Sequence, residues 1–466
     1  MTFAHLPRML VSALPPSMRI LRRPESPAPV SSAPGGGFRR GFSALRHRNY
    51  RLYWFGQIGS TVGTWMQSVS QPWLVLELGG SPLQLGAVIA LQFAPSMVLS
   101  LFGGVLADRV DKRRVLMGTQ LIAMLQALVL FVLTLTGVVE IWHIFVLAGV
   151  LGLVGAIDMP VRQSFAAELV PREDLVNAIA LNSTSFNLSR VVGPAIAGVT
   201  LAAFGSAFNF GVNAVSYLAV LTALGVMDPR QLYRSVRPEV FPSVLSSLGE
   251  GVRYAGRTPH VLWPLVLLAG MATFGMNFQT LLPLFARNAL EMDATGFGAL
   301  FAAMGVGSLI GSLYLAFATS QRPMLRLIVG AAAAFLVFEL LLGVTQSALL
   351  AFPLIIAIGL TSMLMVNTIN VTVQNGVPHE LRGRVMSLYV TVFAGTAPLG
   401  AIFAGIVAEL LGAPAGFLIG AGIAGIIVVA VAWKLLHAGP RVEELDARQP
   451  ERIVDRWPRT DVRAAG

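Results

Sequence analysis

The chain has 466 residues, of which 55% are apolar and 12% charged, and its mean hydropathy of +0.71 excludes a soluble domain with a water-facing surface. It contains no cysteine, which excludes disulfides, thiol nucleophiles and thiolate metal sites. A net charge of +10 would suggest a nucleic-acid partner for a soluble protein, but here the positions of the charges decide their meaning. The 47 glycines and 27 prolines favour membrane helices over a barrel, because neighbouring helices satisfy the backbone groups that these residues free.

The first 49 residues are rich in Pro, Ser, Gly and Arg and lack an apolar run of signal-peptide length, so we expect a disordered cytoplasmic tail over 1–49. From Tyr50 onward, apolar stretches of roughly 20 residues recur, each long enough to cross a hydrocarbon layer of about 30 Å. They predict twelve spans, at residues 52–74, 82–107, 115–137, 141–162, 175–203, 206–226, 260–286, 294–319, 323–345, 348–373, 383–410 and 414–437.

The basic residues indicate the orientation of these spans. Of the 33 Lys and Arg residues, all but Arg190 and Arg287 fall in the tails or in and beside the loops after even-numbered spans. Loops enriched in this way lie in the cytoplasm, so we expect both termini there and the chain in a bacterial-type inner membrane. A basic face for nucleic acid is the disfavoured alternative. The predicted boundaries are bundles at 50–226 and 260–437, a cytoplasmic linker at 227–259 and a cytoplasmic tail at 438–466.

A glycine, an acid and a basic cluster stand where the second span ends. Gly104 allows close helix packing, and Asp108 can accept a hydrogen bond from a helix N-terminus or an arginine. Arg109 and Arg113 belong to the cluster that holds the turn at the lipid headgroups. The plainer interpretation is an ordinary positively charged loop.

The fourth span ends in an acid and an arginine at its cytoplasmic end. Arg162 either pairs with an acid or reaches toward lipid phosphates. Asp158 lies roughly one turn deeper, where it either pairs with Arg162 or titrates.

Arg190 lies 15 residues into the fifth span, about 22 Å along it. A cation at this depth costs about 2.5–3.5 kcal/mol, so its side chain is expected to face the protein interior or a cavity. It then either contacts an anionic or oxygen-rich substrate group or ties the helix to carbonyls and amide side chains. Gly193 and Pro194, followed by Gly198, predict a bend or close packing of the same helix.

Glu339, in the ninth span, is the other intramembrane acid, and it either titrates or reaches the membrane surface. The sequence has no Gly-x4-Gly-Lys-Ser/Thr loop, which excludes ATP as a direct driver. All six histidines lie in tails, loops or span edges, which argues against a metal site in the membrane. Because no nucleophile with a base is visible either, we expect neither an enzyme nor a bound cofactor.

The two predicted bundles share an internal repeat. Val170-Pro171-x-Glu173 recurs as Val377-Pro378-x-Glu380, a shift of 207 residues. The same shift places Gly193 on Gly400, Gly198 on Gly405 and Gly205 on Gly412. The eighth span fits the second better with a shift of about 212. Two related bundles can rock about a site between them, which favours a transporter over a receptor.

Residues 104–114 read Gly-Val-Leu-Ala-Asp-Arg-Val-Asp-Lys-Arg-Arg, which resembles the loop signature of the major facilitator superfamily, Gly-x-Leu-Ala-Asp-Arg-x-Gly-Arg-Arg. The sequence departs from this signature at Asp111, where the family usually has glycine, and at Lys112. The segments 158–163 and 189–194 are similar to the branch that contains enterobactin exporters and macrolide-efflux proteins.

The resemblance implies an all-α membrane fold of twelve helices in two pseudo-symmetric six-helix bundles. It also implies a cytoplasmic latch in which Asp108 engages Arg162 while the outside is open, and an exporter-type role for the Gly193-Pro194 pair. Other cavity-lining side chains are expected from the spans that face the centre of this fold; they are Gln57, Trp65, Gln67, Asn187, Asn277, Gln279, Asn367 and Asn370. Each of them is as well explained by helix packing.

The function that these patterns favour is secondary active export of a small organic molecule, a siderophore or an amphipathic drug, by a monomer that exchanges it for protons. Arg190 would contribute to the cavity and Asp158 or Glu339 would titrate. The alternatives are an uptake permease of the same fold and, less favoured, a non-transporting receptor or an intramembrane enzyme.

Overall fold

The computed structural model describes residues 41–233, 244–317 and 324–437, with only the backbone over 101–109. The predicted tails over 1–40 and 438–466 lie outside the described residues. Within the described ranges every regular element is a helix.

The N-terminal half begins with four single helices and continues with a longer helical segment, Leu175–Val226. Gly205 breaks this segment, since its φ of 78° is accessible to glycine but strained for other residues. We call the two parts α5 (175–204) and α6 (206–226). The four preceding helices are α1 (Arg48–Glu77), α2 (Pro82–Arg109), α3 (Lys112–Leu135) and α4 (Ile141–Ala166).

Several of these helices begin at residues that commonly cap a helix start. Ser81 and Gln84 form a reciprocal capping box at the start of α2, with Pro82 at the first helical position. Asp111, the departure from the family signature, accepts a hydrogen bond from the Arg114 backbone amide and so caps α3. The unusual residue therefore has a structural role at a helix start.

The C-terminal half opens with a short helix, α7, which lies inside the predicted linker. The seventh predicted span is interrupted, because a π-helical turn at Met271–Gly275 and two non-helical residues separate α8 from α9. The bounds are α7 (Val244–Arg257), α8 (Pro259–Gly270), α9 (Phe278–Asn288), α10 (Ala294–Phe317), α11 (Met324–Val344), α12 (Ala348–Asn375), α13 (His379–Leu411) and α14 (Ala413–His437).

All twelve predicted spans coincide with helices. Nine helices of the described residues are long and apolar enough to cross a membrane, and one of these is the double-length segment broken at Gly205. Together with α1 and α2 they make the two six-helix bundles that the sequence predicts. Part of the predicted tail over 1–49 is described and helical, with a 3-10 turn at Ser43–Arg46 and α1 from Arg48. Between them, His47 places its Nε2 2.7 Å from an Asp174 carboxylate oxygen.

The repeat is visible in the packing of the glycines that it relates. A Cβ on Gly193 would lie 2.5 Å from Cβ of Trp65 in α1, and one on Gly400 would lie 2.7 Å from the Thr273 carbonyl oxygen in the seventh span. Each glycine thus lets its helix approach the first helix of its own half. Gly412 also repeats the left-handed backbone of Gly205, with a φ of 86°.

A second pair of glycines brings the two halves together. A Cβ on Gly198 in α5 would lie 2.8 Å from Cα of Gly298 in α10, and one on Gly405 in α13 would lie 3.0 Å from the Pro82 carbonyl oxygen of α2. Gly86, which corresponds to Gly298 at the predicted shift of 212, meets α13 in turn.

These contacts between halves lie at one end of the helices, which we call the closed end. There Trp73 of α1 stacks on Phe297 of α10 with ring centroids 5.5 Å apart and an interplanar angle of 14°. The backbone amide of Leu83 donates to the Glu409 carboxylate at 3.1 Å. Both rings of the stack are buried, so these contacts seal this end.

Candidate substrate cavity

Three aromatic rings and an arginine form a central cluster that joins both halves. The Trp65 ring of α1 lies 5.9 Å from Phe186 of α5 and 6.4 Å from Phe301 of α10, centroid to centroid. The Arg190 guanidinium carbon lies 5.9 Å from the Trp65 centroid, within cation–π range. The tight contact between α5 and α10 extends to this level, because a Cβ on Gly305 would lie 2.8 Å from the Arg190 carbonyl oxygen.

Arg190 carries an uncompensated charge within the described residues. None of the described carboxylates forms an ion pair with it, and its buried Nε has no hydrogen-bond partner. A guanidinium left in this state inside a helix bundle is costly, and it is stabilised here by the Trp65 ring face. The site therefore favours an anionic or oxygen-rich group.

Beyond Arg190, away from the closed end, α5 presents polar side chains to an open space. Ser183 and Thr184 are exposed, and Phe186 is 51% exposed. Asn187 is partly exposed, and its amide donates to the Ser183 carbonyl at 2.9 Å. The Thr184 hydroxyl donates to the Ala180 carbonyl at 2.9 Å, so this group is satisfied by its own helix.

Gln67 lies inside the N-terminal half and is only 2% exposed. Its amide donates to Gln126 at 3.2 Å and accepts from Asn213 at 2.7 Å. A closed cavity of about 40 Å³, room for a water molecule, lies beside Gln67 and Gln71. Gln279 of α9 also lines it, so this cavity spans the junction of the halves.

The remaining predicted cavity residues make local hydrogen bonds. Gln57 donates to Thr61 at 3.3 Å, and Asn277 donates to the Thr273 carbonyl at 2.8 Å beside the break in the seventh span. Asn367 donates to Ser312 at 3.4 Å, and Asn370 accepts from Gln374 at 2.7 Å. These hydrogen bonds agree with the interpretation that the side chains serve helix packing. Of the predicted cavity residues, only Trp65 and Arg190 belong to the central cluster.

The residues predicted to gate fall into two groups. The side chains of Gly104, Asp108 and Arg109 lie outside the described part of α2, so the predicted latch stays a prediction. Arg113 donates to the carbonyls of residues 224 and 225, at 2.6 and 2.9 Å, and thereby caps the end of α6.

Arg162 pairs with Asp158, one turn back on α4, through its Nε at 2.7 Å and through a second guanidinium nitrogen. The other Asp158 oxygen accepts from Thr119 at 2.7 Å and from Gln120 at 2.9 Å. Asp158 is 8% exposed, so the ion pair is buried and its hydrogen-bonding capacity is well used. Sequence reasoning missed Thr119 and Gln120, although their position two turns into α3 is a usable signal.

Glu339 is fully buried in α11, and neither of its carboxyl oxygens has a hydrogen-bond partner. It therefore does not reach the membrane surface in this conformation. Sequence reasoning also missed Phe186 and Phe301, because aromatic residues in a membrane span carry no positional signal until two helices bring their rings together.

Two related six-helix bundles that pack against each other at one end make the architecture of a major facilitator superfamily transporter. Solved structures agree. A bacterial homologue of the human lysosomal transporter Spinster, in an inward-facing and unoccupied conformation, superimposes with a TM-score of 0.64 and 15% identity, over 89% of this chain and 100% of that one. The nucleoside transporter NupG superimposes with a TM-score of 0.62 and 14% identity, over 84% of this chain and 99% of that one.

The transmembrane secretion effector signature matches residues 39–464, and the chain belongs to that family within the superfamily. It is 29% identical to the staphyloferrin A transporter of Staphylococcus aureus, over 75% of this chain and 87% of that protein. It is also 29% identical to the multidrug efflux pump Tap of Mycolicibacterium fortuitum, over 79% of this chain and 91% of that protein. The enterobactin exporter EntS of Escherichia coli is 28% identical, over 74% and 81%. The protein is therefore a multi-pass membrane transporter of small molecules.

Proposed function

We propose that the protein exports a small organic anion or amphipathic drug from the cytoplasm in exchange for protons. Relatives named as a siderophore exporter and a drug efflux pump support the direction. The observation that carries the proposal is the central cluster, where an unpaired Arg190 lies over Trp65 between the two halves. Such a site fits a ligand with oxygen anions and flat apolar surface, the chemistry of siderophores and many drugs.

We propose that the sealed end lies outside the cell and both termini in the cytoplasm, as the basic loops favour, and that the protein works as a monomer. The exposed stretch of α5 at Ser183 and Thr184 then lies toward the cytoplasm, where an exporter loads. In the opposite state the glycine contacts at the closed end separate, and the latch between Asp108 and Arg162 forms as Arg162 leaves Asp158. The proton would be carried by Asp158 or Glu339.

A flux assay on purified protein in proteoliposomes, with and without an imposed pH gradient, tests this function. Staphyloferrin A, enterobactin and a hydrophobic antibiotic are the probes. We expect at least one to move against its gradient when protons flow the other way. Movement of every active probe only in the inward sense, as accumulation in energised cells, would make the protein an uptake permease instead.

Arg190→Ala should lower transport of an anionic probe by about ten- to a hundredfold, because a hydrogen bond to a charged group contributes about 1.5–3 kcal/mol. Arg287→Ala is the matched control, since Arg287 is exposed in the last turn of α9 at the closed end. An Arg190→Ala protein that reconstitutes normally and transports at the wild-type rate would remove Arg190 from the binding site.

A further inference from the structure

Glu339 faces the interruption of the seventh span. A Cβ on Gly275 would lie 3.4 Å from a Glu339 carboxyl oxygen, 3.3 Å from the Phe335 ring and 3.6 Å from the Met271 methyl group. Gly275 is the last residue of the π-helical turn, and the Met276 amide reaches back five residues to the Met271 carbonyl at 2.9 Å. The acid therefore packs against the point where the helix loses its regular hydrogen bonds.

The surroundings of Glu339 are apolar and distant from other charges. The Gly275 position beside it is also bordered by an aromatic ring and a thioether methyl group, and neither carboxyl oxygen has a hydrogen-bond partner among the described residues. Of the helices packed against α11, α12 contains no charged or histidine residue. The described titratable groups on the other helices packed against α11, and on α11 itself, lie at least about 12 residues, or 18 Å along the helix axis, from the level of Glu339. They are His260, Arg287, Arg326 and Lys434.

This environment selects a proton as the ligand. An ionised carboxylate without a partner is prohibitively costly in an apolar interior, so the group is held as a neutral acid. A metal cation would need several further ligands, whereas neither carboxyl oxygen has a hydrogen-bonding neighbour and no cluster of metal-binding side chains is found among the described residues. Asp158 is the contrasting case, because Arg162, Thr119 and Gln120 already stabilise its ionised form.

We propose that Glu339 and the break at 271–277 form a proton-linked hinge that controls the closed end. This inference rests on the proposed exchange of substrate for protons. The neutral acid packs against the break while the closed end is sealed. Release of the proton to water leaves a carboxylate that must be hydrated, and hydration requires the seventh span to move away from α11.

The movement reaches the seal through α9. This helix begins beside the break, where Gln279 lines the closed cavity together with Gln67 and Gln71 of the other half, and it continues to the closed end. A hinge motion at 271–277 therefore displaces a contact between the halves. Deprotonation of Glu339 would favour the state open at this end, and protonation would favour the sealed state.

Spin-label distances across the closed end test the hinge without a substrate. The chain has no cysteine, so Val138→Cys and Leu349→Cys place labels on exposed positions of the two halves at this end without further changes. With one coupled proton, the ratio of long to short distances should rise by up to about tenfold per pH unit. Glu339→Gln, which preserves the neutral form, should keep the short distance at every pH.

Two results would overturn the hinge: a wild-type distance that does not change from pH 5 to pH 10, or a Glu339→Gln protein that responds to pH like the wild type. Glu409→Gln is the matched control, since this acid also contacts the closed end but is exposed, and it should respond normally. Transport is measured separately, so failure of the flux assay with an intact pH response would reject exchange and not the hinge.

Dicyclohexylcarbodiimide, which modifies protonated carboxyl groups in apolar surroundings, provides an independent measurement on the unmutated chain. We expect mass spectrometry to find Glu339 modified at least about tenfold more than Glu409, because only the buried acid is neutral at pH 7. Preferential modification of Glu409 would contradict the proposal.

Discussion

The two halves use the same glycines but differ in what they bury. Gly193 and Gly400 pack on the first helix of their own halves, and Gly198 and Gly405 join the halves. The N-terminal half encloses an ion pair and a chain of amide side chains, whereas the C-terminal half encloses one unpaired acid beside a broken helix. The duplicated unit has thus kept its packing surfaces while its chemistry has diverged.

Arg190 shows this divergence at one position. Its counterpart at the 207-residue shift is Ala397, so the repeat itself does not require a cation there. The symmetric part of the molecule supplies two bundles that can separate at either end. The asymmetric part supplies the groups that would make separation depend on substrate and protons.

The largest expected effect comes from the glycines that join the halves. A Cβ on Gly298 would lie 2.3 Å from Cα of Gly198, which is backbone and cannot rotate away. Overpacking typically costs about 1–3 kcal/mol, so Gly298→Leu should shift the closed end toward its open state by about ten- to a hundredfold. A membrane-impermeant maleimide should then label Gln279→Cys much faster.

Gly86→Leu, at the related position of the other half, should give the same result if the two junctions are equivalent. Gly330→Leu is the control, because no side chain or neighbouring helix lies within 4 Å of its Cβ position. Labelling at the parent rate in Gly298→Leu would show that these contacts do not seal the molecule.

A smaller effect should distinguish the buried acids of the two halves. Asp158→Ala leaves Arg162 without its partner, and loss of one member of a buried ion pair costs about 3–5 kcal/mol, somewhat less here because Arg162 is 25% exposed. Glu339→Gln should lower the free energy of unfolding by less than about 1 kcal/mol, since it replaces a neutral acid by a neutral amide. Thermal unfolding in detergent measures both, and equal losses would place a charge on Glu339.

The left-handed glycines test the symmetry of the framework. Gly205→Ala and Gly412→Ala should each destabilise the protein by about 1 kcal/mol, through backbone strain and not through crowding at Gly205, where a Cβ meets no atom within 4 Å. Gly118→Ala, in a regular helix with open space around it, should be neutral or stabilising. A difference well above 1 kcal/mol between the two left-handed positions, measured by thermal unfolding, would mean that the related turns are not equivalent.

The smallest effect concerns α7, the short helix that precedes the first span of the C-terminal half. Burial raises the pKa of Tyr254, whose hydroxyl donates to the Gly376 carbonyl at 3.3 Å. The pKa of Tyr254 is therefore higher in the folded than in the unfolded protein. The stabilisation that its neutral hydroxyl gives to α7 docking is complete below the unfolded pKa of about 10, and it is lost as pH rises through the folded pKa. The protection of the α7 amides, that is their exchange rate corrected for intrinsic base catalysis, should therefore fall at high pH in the wild type but not in Tyr254→Phe. An identical fall in both would assign it to another group.

The sequence determined the spans, the repeat and the residues that the repeat relates. Twelve apolar stretches predicted twelve helices because lipid requires each crossing segment to satisfy its own backbone hydrogen bonds. The 207-residue shift predicted Gly205 and Gly412 as equivalents, and both have the backbone conformation that glycine readily adopts. The sequence also identified Arg190 and Glu339, because a charge in an apolar stretch is costly enough to be informative.

The tertiary structure alone decided which of these groups have partners. Asp158 and Arg162 are one helical turn apart, so local geometry permits their pairing, but Thr119 and Gln120 reach Asp158 only because α3 packs on α4. The ring of Phe186 meets Trp65 only when α5 packs on α1, and the ring of Phe301 meets it only when the halves join. The break at 271–277 has no proline within it, and its position opposite Glu339 depends on how α11 packs. A single sequence indicates which side chains of each segment are apolar and which are charged, whereas contacts between segments depend on the packing of whole helices.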